Sequence, residues 1–453
     1  MSDRVALGVL TATFSRSLVD AVIEATGRRE RRNRLLPAHV VTYYVMAMAL
    51  FPSAGYEEVM RSLTEGLTWA SDGRECYKMP SQVAISKARA RLGSEPLAAL
   101  FAQACVPLAT ADTAGAFYRD WRLVSIDGTT IDVANTPENA GVFGRAGTGR
   151  GEGSAFPQLR IVALGECGTH AIIAAAMDSY DVGEVTLAKT MIDGLTPGML
   201  VLADRGFTGH PLFAAAAATG AELLWRAKSN AVLPVLQRLD DGSFISEMVA
   251  ADDKRTRENV LSVRVVEYTI KDPGRPGARD TGYRLITTIL DPGQAPADEL
   301  AALYAQRWEI ESIFDELKTH QRGPRMVLRS RTPDGVYQEA WAYLCVHYAI
   351  RALIHQAARK YDLDPDRVSF TKALHATRRS VRTGIDGVVN LTQALHRATT
   401  EILHGLLPAR RLRANPRVVK RKMSGYGVKR ATHRHWPQPT QPVANTIRIL
   451  APT

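Results

Sequence analysis

The stretch YAQRWEIESIFDELK (304–318) carries Tyr304, Arg307, Glu311 and Lys318 at near-helical intervals. At about 100° per residue these four fall in a sector roughly 60° wide, beside an apolar face made by Ile310, Ile313, Phe314 and Leu317. Such a stripe can wall a cleft; it can equally be the solvated side of an ordinary helix. Asp127 follows the strand-like run RLVSI and Asp204 follows GMLVLA. Open α/β sheets gather ligand-binding residues beyond the carboxyl ends of their strands, although Asp-Gly at 127–128 also reads as a hairpin turn and Asp204 could begin a turn. Two strand-end aspartates and a glutamate on a docked helix are hard oxygen donors of the kind that hold two Mg2+ ions. Ions about 3.5–4 Å apart can activate an attacking oxygen and stabilise a leaving one in phosphoryl transfer.

The elements that must position these groups fall in a clear order. Residues 1–112 read as helical, from the three-to-four spacing in LPAHVVTYYVMAMALF, its break at Pro52-Ser53 and its return in SAGYEEVMRSL. Within them MPSQVAISKARARLG starts a helix at Pro80-Ser81, with Ala84, Ile85 and Ala88 inward and Lys87, Arg89 and Arg91 outward. It is a candidate recognition helix for the DNA major groove, or a solvated basic helix. Residues 113–228 alternate Val- and Ile-rich runs with Gly, Asn and Pro, then pass through the helix HPLFAAAAATG to the strand AELLWRAK, giving a mixed α/β core. The glycine-rich GVFGRAGTGRGEG lacks a GK[ST] and a following helix, so it reads as a basic loop. Residues 229–290 read as a β-rich insertion. Residues 291–360 resume the core with one long helix, opening at Pro296 and ending at Gly323-Pro324, about 40 Å long at 1.5 Å per residue. Residues 361–453 form a helical C-terminal region with a basic tail, in which Arg417, Lys420, Arg421 and Lys422 belong to a run free of acidic residues.

The whole chain sets the partner class. With 453 residues, 45% hydrophobic, it can bury a core in two to four domains at roughly 100–200 residues each. A net charge of +11 favours a polyanion. The four cysteines lie far apart with no CxxC pair, which points to a reducing compartment and away from zinc or a disulfide scaffold. No apolar run reaches the ~20 residues of a membrane span, and the N-terminus lacks the apolar core of a signal peptide. The reading is a cytoplasmic protein.

SIDGTT, LADRGF and YAQRWEIESIFDELK together resemble the three catalytic segments of DDE transposases of the insertion-sequence-four family, whose third segment follows Y-x2-R-x3-E-x6-K. NRLLPAHVVTYYVMAMALFPSAGYEEVM is similar to that family's N-terminal helical domain. The resemblance implies an α/β fold: a ribonuclease-H-like catalytic core interrupted by a β-strand insertion and flanked by helical N- and C-terminal domains. It implies that Asp127, Asp204 and Glu311 are a metal-binding catalytic triad using two Mg2+ ions, with Mn2+ able to substitute. It further implies that Tyr304, Arg307 and Lys318 contact transposon-end phosphates, and that an aromatic of the insertion stacks a flipped base, for which Tyr283 is the candidate. The implied activity is cut-and-paste transposition through a hairpin intermediate, by a homodimer on paired double-stranded ends in a prokaryotic cytoplasm, nucleoid-associated when bound. A nuclease with the same core and an inactive DNA-binding regulator are the alternatives.

Overall fold

The computed structural model describes residues 8–32, 34–69, 79–147, 153–228, 230–250, 257–271, 282–382, 391–409, 418–419, 427–428, 430–431 and 442–451. Arg417, Lys420, Arg421 and Lys422 lie outside them. In chain order, the helices that matter below are α1 (Ala38–Leu50), α2 (Gln82–Leu92), α3 (His210–Ala218), α4 (Ala297–Leu303), α5 (Glu309–Asp315), α6 (Pro333–Lys360) and α7 (Phe370–Arg382). The strands are β1 (Trp121–Asp132), β2 (Gln158–Glu166), β3 (Ile172–Ser179), β4 (Met199–Ala203), β5 (Glu222–Arg226), β6 (Phe244–Val249), β7 (Val260–Ile270), β8 (Gly282–Thr287) and β9 (Ile447–Ile449). Among the described residues no helix is long and apolar enough to cross a membrane.

The chain divides into two compact units. The first comprises Met1–Phe117, Arg122–Gly194 and Glu309–Pro408, and the second Tyr118–Trp121, Leu195–Trp308 and Ala409–Thr453. In the first unit, α1 is apolar on every side and every one of its residues is buried, as a helix without a polar face must be. Its polar groups find partners within the fold: Thr42 Oγ1 donates to the Ala38 carbonyl, Tyr43 to that of Phe14 and Tyr44 to that of Tyr56. One continuous core runs from these N-terminal helices through α6 and α7 to Ile131, Leu159 and Ile161 of the β1–β2–β3 antiparallel meander, and takes in Ile310 and Ile313 of α5.

In the second unit β4 and β5 pair in parallel through the α3 crossover, and β8 continues antiparallel to β5, followed by β7. The other edge of β7 pairs with β6 along its first half and with β9 at its end. The buried Arg264 of β7 donates to Asp241, Ser243 Oγ and the Ala295 carbonyl, while Asp241 accepts the first amide of α4 from Ala297. The β-rich segment thereby fixes where α4, and with it Tyr304, begins.

Two sequence expectations change. The segment 297–321 is not one long helix: α4 gives way to a 3₁₀ stretch over Tyr304–Trp308, then α5, then a π-helical stretch over Glu316–Gln321 closed by a bond from the Arg322 amide to the Leu317 carbonyl. Buried polar anchors within the segment, described below, win over uniform α-helical bonding. Asp127-Gly128 is neither a strand end nor a hairpin turn. It lies within the twelve-residue β1, because β2 pairs with β1 continuously from Val124 to Asp132. A Cβ at Gly128 would lie 2.4 Å from Glu184 Cδ, in a side chain that can turn away.

Candidate active site

Asp127 sits opposite Ala163 of β2, half-buried, and its Oδ1 accepts the Gly128 amide at 2.8 Å. Side chains alternate along a strand, so Ser125, Asp127 and Thr129 share one face of β1. Segment 309–321 lies along that face. At one end, Gly165 pairs with Ser125, and the missing Cβ leaves room for Ile313 and Ile310, whose Cδ1 atoms would stand 2.5 and 2.8 Å from it. At the other end, Lys318 Nζ donates to Thr129 Oγ1 at 2.9 Å. Asp127 lies between these two contacts, and Glu311, next to Ile310, is half-buried in the first turn of α5. The first unit therefore brings Asp127 and Lys318 to one strand face, along which the segment carrying Glu311 runs. Burial, with Arg322 close by, lowers the Lys318 pKa from its ordinary value, and Asp132 partly offsets this.

The second unit holds Asp204, Tyr304 and Arg307. Asp204 directly follows β4, and its Oδ1 accepts the Gly206 amide at 2.6 Å, so it also shapes a turn. It does not cap α3, which starts after Gly209. Tyr304 is 5% exposed, and its hydroxyl donates to the carbonyl of Ala203, the residue before Asp204, at 3.1 Å. Burial raises its pKa, with Arg307 and Arg226 acting the other way. The Arg307 guanidinium lies over the rings of Tyr304 and Trp308, at 5.9 and 5.1 Å. Tyr283 stacks on Tyr268 at 5.0 Å between centroids, and Arg226 stands 4.4 Å over its ring. A base could stack on Tyr283 only after displacing one of them. Trp308, 42% exposed beside Arg307, is an open aromatic that the sequence reading passed over although it stands inside the quoted motif.

On α2, Ser81 caps the helix by accepting the Ala84 amide, and Lys87 is exposed. Arg91 is half-buried, donating to the Leu36 carbonyl at 2.9 Å and lying 3.6 Å from Glu30. Arg89 does not point outward as the sequence reading had it. It is buried, bonded to Gln338, Tyr56 and Ser330 at 2.8–2.9 Å, and it ties α2 to α6.

A buried ionic network, also missed, surrounds α5. Glu316 accepts from Arg351 Nε at 2.8 Å, and His347 Nε2 and His170 Nδ1 stand 3.1 and 3.2 Å from its two oxygens. Burial works against ionisation of Glu316, yet Arg351 and the two histidines hold its carboxyl well below the usual range. Burial pushes the His347 pKa down. Glu309 Oε2 accepts the Gly168 amide at 2.6 Å. Ligand atoms of His170, Glu309 and Asp366 lie within 4.8 Å of one another, a group that shares no member with Asp127, Asp204 and Glu311.

Residues 4–102 match the family model for the Insertion element 4 transposase N-terminal region, and residues 119–349 match that of the Transposase DDE domain. The chain belongs to the insertion-sequence-four family of DDE transposases. It is 27% identical over 440 residues to "Transposase InsG for insertion sequence element IS4" of Escherichia coli K12, covering 94% of this chain and 92% of that protein. It is 28% identical over 187 residues to "Putative transposase InsZ" of the same organism, covering 40% of this chain and 58% of that one. For this DDE transposase, membership implies a ribonuclease-H-like α/β core, DNA at insertion-sequence ends as the partner and a divalent metal as the family's cofactor. Asp127 and Glu311 of the first unit and Asp204 of the second are each half-buried carboxylates, hard oxygen donors of the kind such an ion takes.

Proposed function

We propose that this transposase moves its element by cut and paste, with Asp127, Asp204 and Glu311 as the catalytic carboxylates. The observation that carries this is the approach of Lys318 to Thr129, which sets the third motif segment along the strand of the first. The three carboxylates would hold two Mg2+ ions, or Mn2+ in their place, and the bound pair supplies activation of the attacking oxygen and stabilisation of the leaving one.

Water attacks the phosphodiester at each end of the element, leaving a 3′-hydroxyl and a 5′-phosphate. That hydroxyl attacks the opposite strand, forming a hairpinned end and releasing flanking DNA. Water reopens the hairpin, and the same 3′-hydroxyl attacks target DNA, with a target 3′-oxygen leaving. Arg307 serves the phosphates by its planar fork and Lys318 as a point charge, while Tyr304, buried with its hydroxyl on the Ala203 carbonyl, holds the stretch that carries Arg307 rather than touching phosphate. A flipped base stacks on Tyr283 once Arg226 moves off it, or on Trp308, whose ring is already exposed. Lys87 and Arg91 of α2 and the basic residues Arg417, Lys420, Arg421 and Lys422 add phosphate contacts. The protein acts as a dimer on paired ends in the cytoplasm, at the nucleoid when bound to DNA.

The products decide the reading. Purified protein, a fragment carrying the ends that flank its own gene, and Mg2+ or Mn2+ should give hairpinned ends and joined target on a denaturing gel. Nicks without hairpins or joining would make it a nuclease. Tight binding without any cleavage would make it a DNA-binding regulator.

A further inference from the structure

We infer that Glu309 and Glu316 are positioning residues: two carboxylates outside the triad that bracket Glu311 in sequence and lock its helix to the β2–β3 hairpin. The inference rests on the transposase reading of Glu311. The contacts run along the chain around it. Glu309 accepts the amide of Gly168 in the hairpin turn, Ile310 and Ile313 sit on Gly165, and Glu316 meets His170 just beyond the turn. Arg351 and His347, both from α6, hold Glu316 from the other side. β2 of that same hairpin pairs Ala163 with Asp127.

Apolar contact alone would let α5 slide or rotate on the sheet, because it is non-directional. Charge-assisted hydrogen bonds are short and directional, so anchors two residues before Glu311 and five after it fix both its height along β1 and its rotation. Buried ions are costly, and their use at two points flanking one catalytic carboxylate is explained by the need for geometry. The π-helical stretch begins at Glu316, and Lys318 meets Thr129 two residues later. The same anchor therefore sets the aim of both Glu311 and Lys318.

The test uses full-length E316Q and E309Q beside wild type, with thermal unfolding to establish that each variant is folded at the assay temperature. Three quantities are read: affinity for the DNA end without metal, strand cleavage at saturating DNA, and Mn2+ binding by calorimetry without turnover. End affinity should stay within about twofold, while cleavage falls about 10²-fold, as displacement of a catalytic group by ~1 Å does. Mn2+ binding should weaken at least severalfold. If E316Q does not fold, E309Q carries the test, since Glu309 accepts one backbone amide and stands 3.7 Å from His170 Nε2, outside the Glu316–Arg351 pair. A folded variant with wild-type cleavage and wild-type Mn2+ binding overturns the inference. So does a loss of cleavage that merely follows loss of folded protein and of DNA affinity. Should wild type itself not cleave, the transposase reading fails and the inference falls with it, whereas wild-type cleavage retained by both folded variants overturns the inference alone.

Discussion

Lys318 Nζ donates to Thr129 Oγ1 at 2.9 Å, two residues along β1 from Asp127. The contact aligns two motif segments 189 residues apart in sequence and keeps a half-buried cation beside the carboxylate strand. Lys318→Met should leave folding intact. It should weaken binding to the transposon end and lower the salt slope of that binding by about 0.9, the value for one phosphate contact on duplex DNA. A filter-binding series over salt concentration checks this; an unchanged slope would remove Lys318 from the phosphate contacts.

Arg89 and Lys87, two residues apart on α2, should separate stability from DNA binding. Arg89→Met strips partners from Gln338, Tyr56 and Ser330 and should cost about 2–4 kcal/mol in urea unfolding. Lys87→Ala should stay within about 0.5 kcal/mol of wild type. It should nevertheless lower affinity for the element's end if α2 enters the groove.

The two glycines near the site predict opposite outcomes. A Cβ at Gly165 meets Ile313 and Ile310, which are 1% and 0% exposed and have nowhere to move. Gly165→Ala should therefore cost roughly 1–3 kcal/mol and push α5 away from β1. At Gly128 the obstructing atoms are the end of the Glu184 side chain, so Gly128→Ala should be accommodated by a rotamer change. Thermal unfolding of the pair distinguishes them.

Acid should destabilise the first unit in two stages. His347 is held neutral by burial, with its pKa lowered, so the unfolded chain takes up a proton that the folded one refuses once the pH falls below about 6.5. The Glu316 carboxyl is held well below its usual range, so its contribution is present above the unfolded pKa of about 4.3 and is lost as the pH falls further. Urea midpoints against pH should show both declines. Glu316→Gln should remove the lower one, and a wild-type profile in that variant would contradict the assignment.

Much of this was legible in the sequence because it depends on local pattern. The Y-R-E-K spacing, the fully apolar α1 and the β runs need only periodicity and turn residues. The recognition of 304–318 as one helix failed because its 3₁₀ and π segments are set by partners distant in sequence: Tyr304 by the Ala203 carbonyl and Glu316 by Arg351. Arg89 was misplaced although the signal was available. With Lys87 at 0°, Arg89 falls at about 200°, next to Ile85 at 160° and across the helix from Lys87. The C-terminus hid differently: a basic tail was read, yet Ile447–Ile449 pairs with Ile270, Thr269 and Tyr268 of β7, and Val443 and Thr446 are buried. Ile447-Arg448-Ile449, two apolar residues about an arginine, is too short a run to show the periodicity of a strand.

That pairing yields a further prediction. Removing residues 442–453 should cost about 3 kcal/mol, from the burial of Val443 and Ile447 and the lost backbone bonds at Lys271 and Leu450. Changing Arg417, Lys420, Arg421 and Lys422 to Gln should instead preserve stability and reduce DNA affinity. Equilibrium unfolding and a salt titration on both variants separate the strand from the charge.

The central claim is that Asp127, Asp204 and Glu311 carry out the chemistry, and Glu311→Gln tests it most directly. The variant and wild type are given the same transposon-end DNA with Mg2+ or Mn2+, and binding and strand cleavage are measured side by side. The account predicts end affinity within about twofold of wild type, with cleavage reduced by at least about 10³-fold, as loss of a transition-state contact requires. Wild-type cleavage by a correctly folded Glu311→Gln would contradict it.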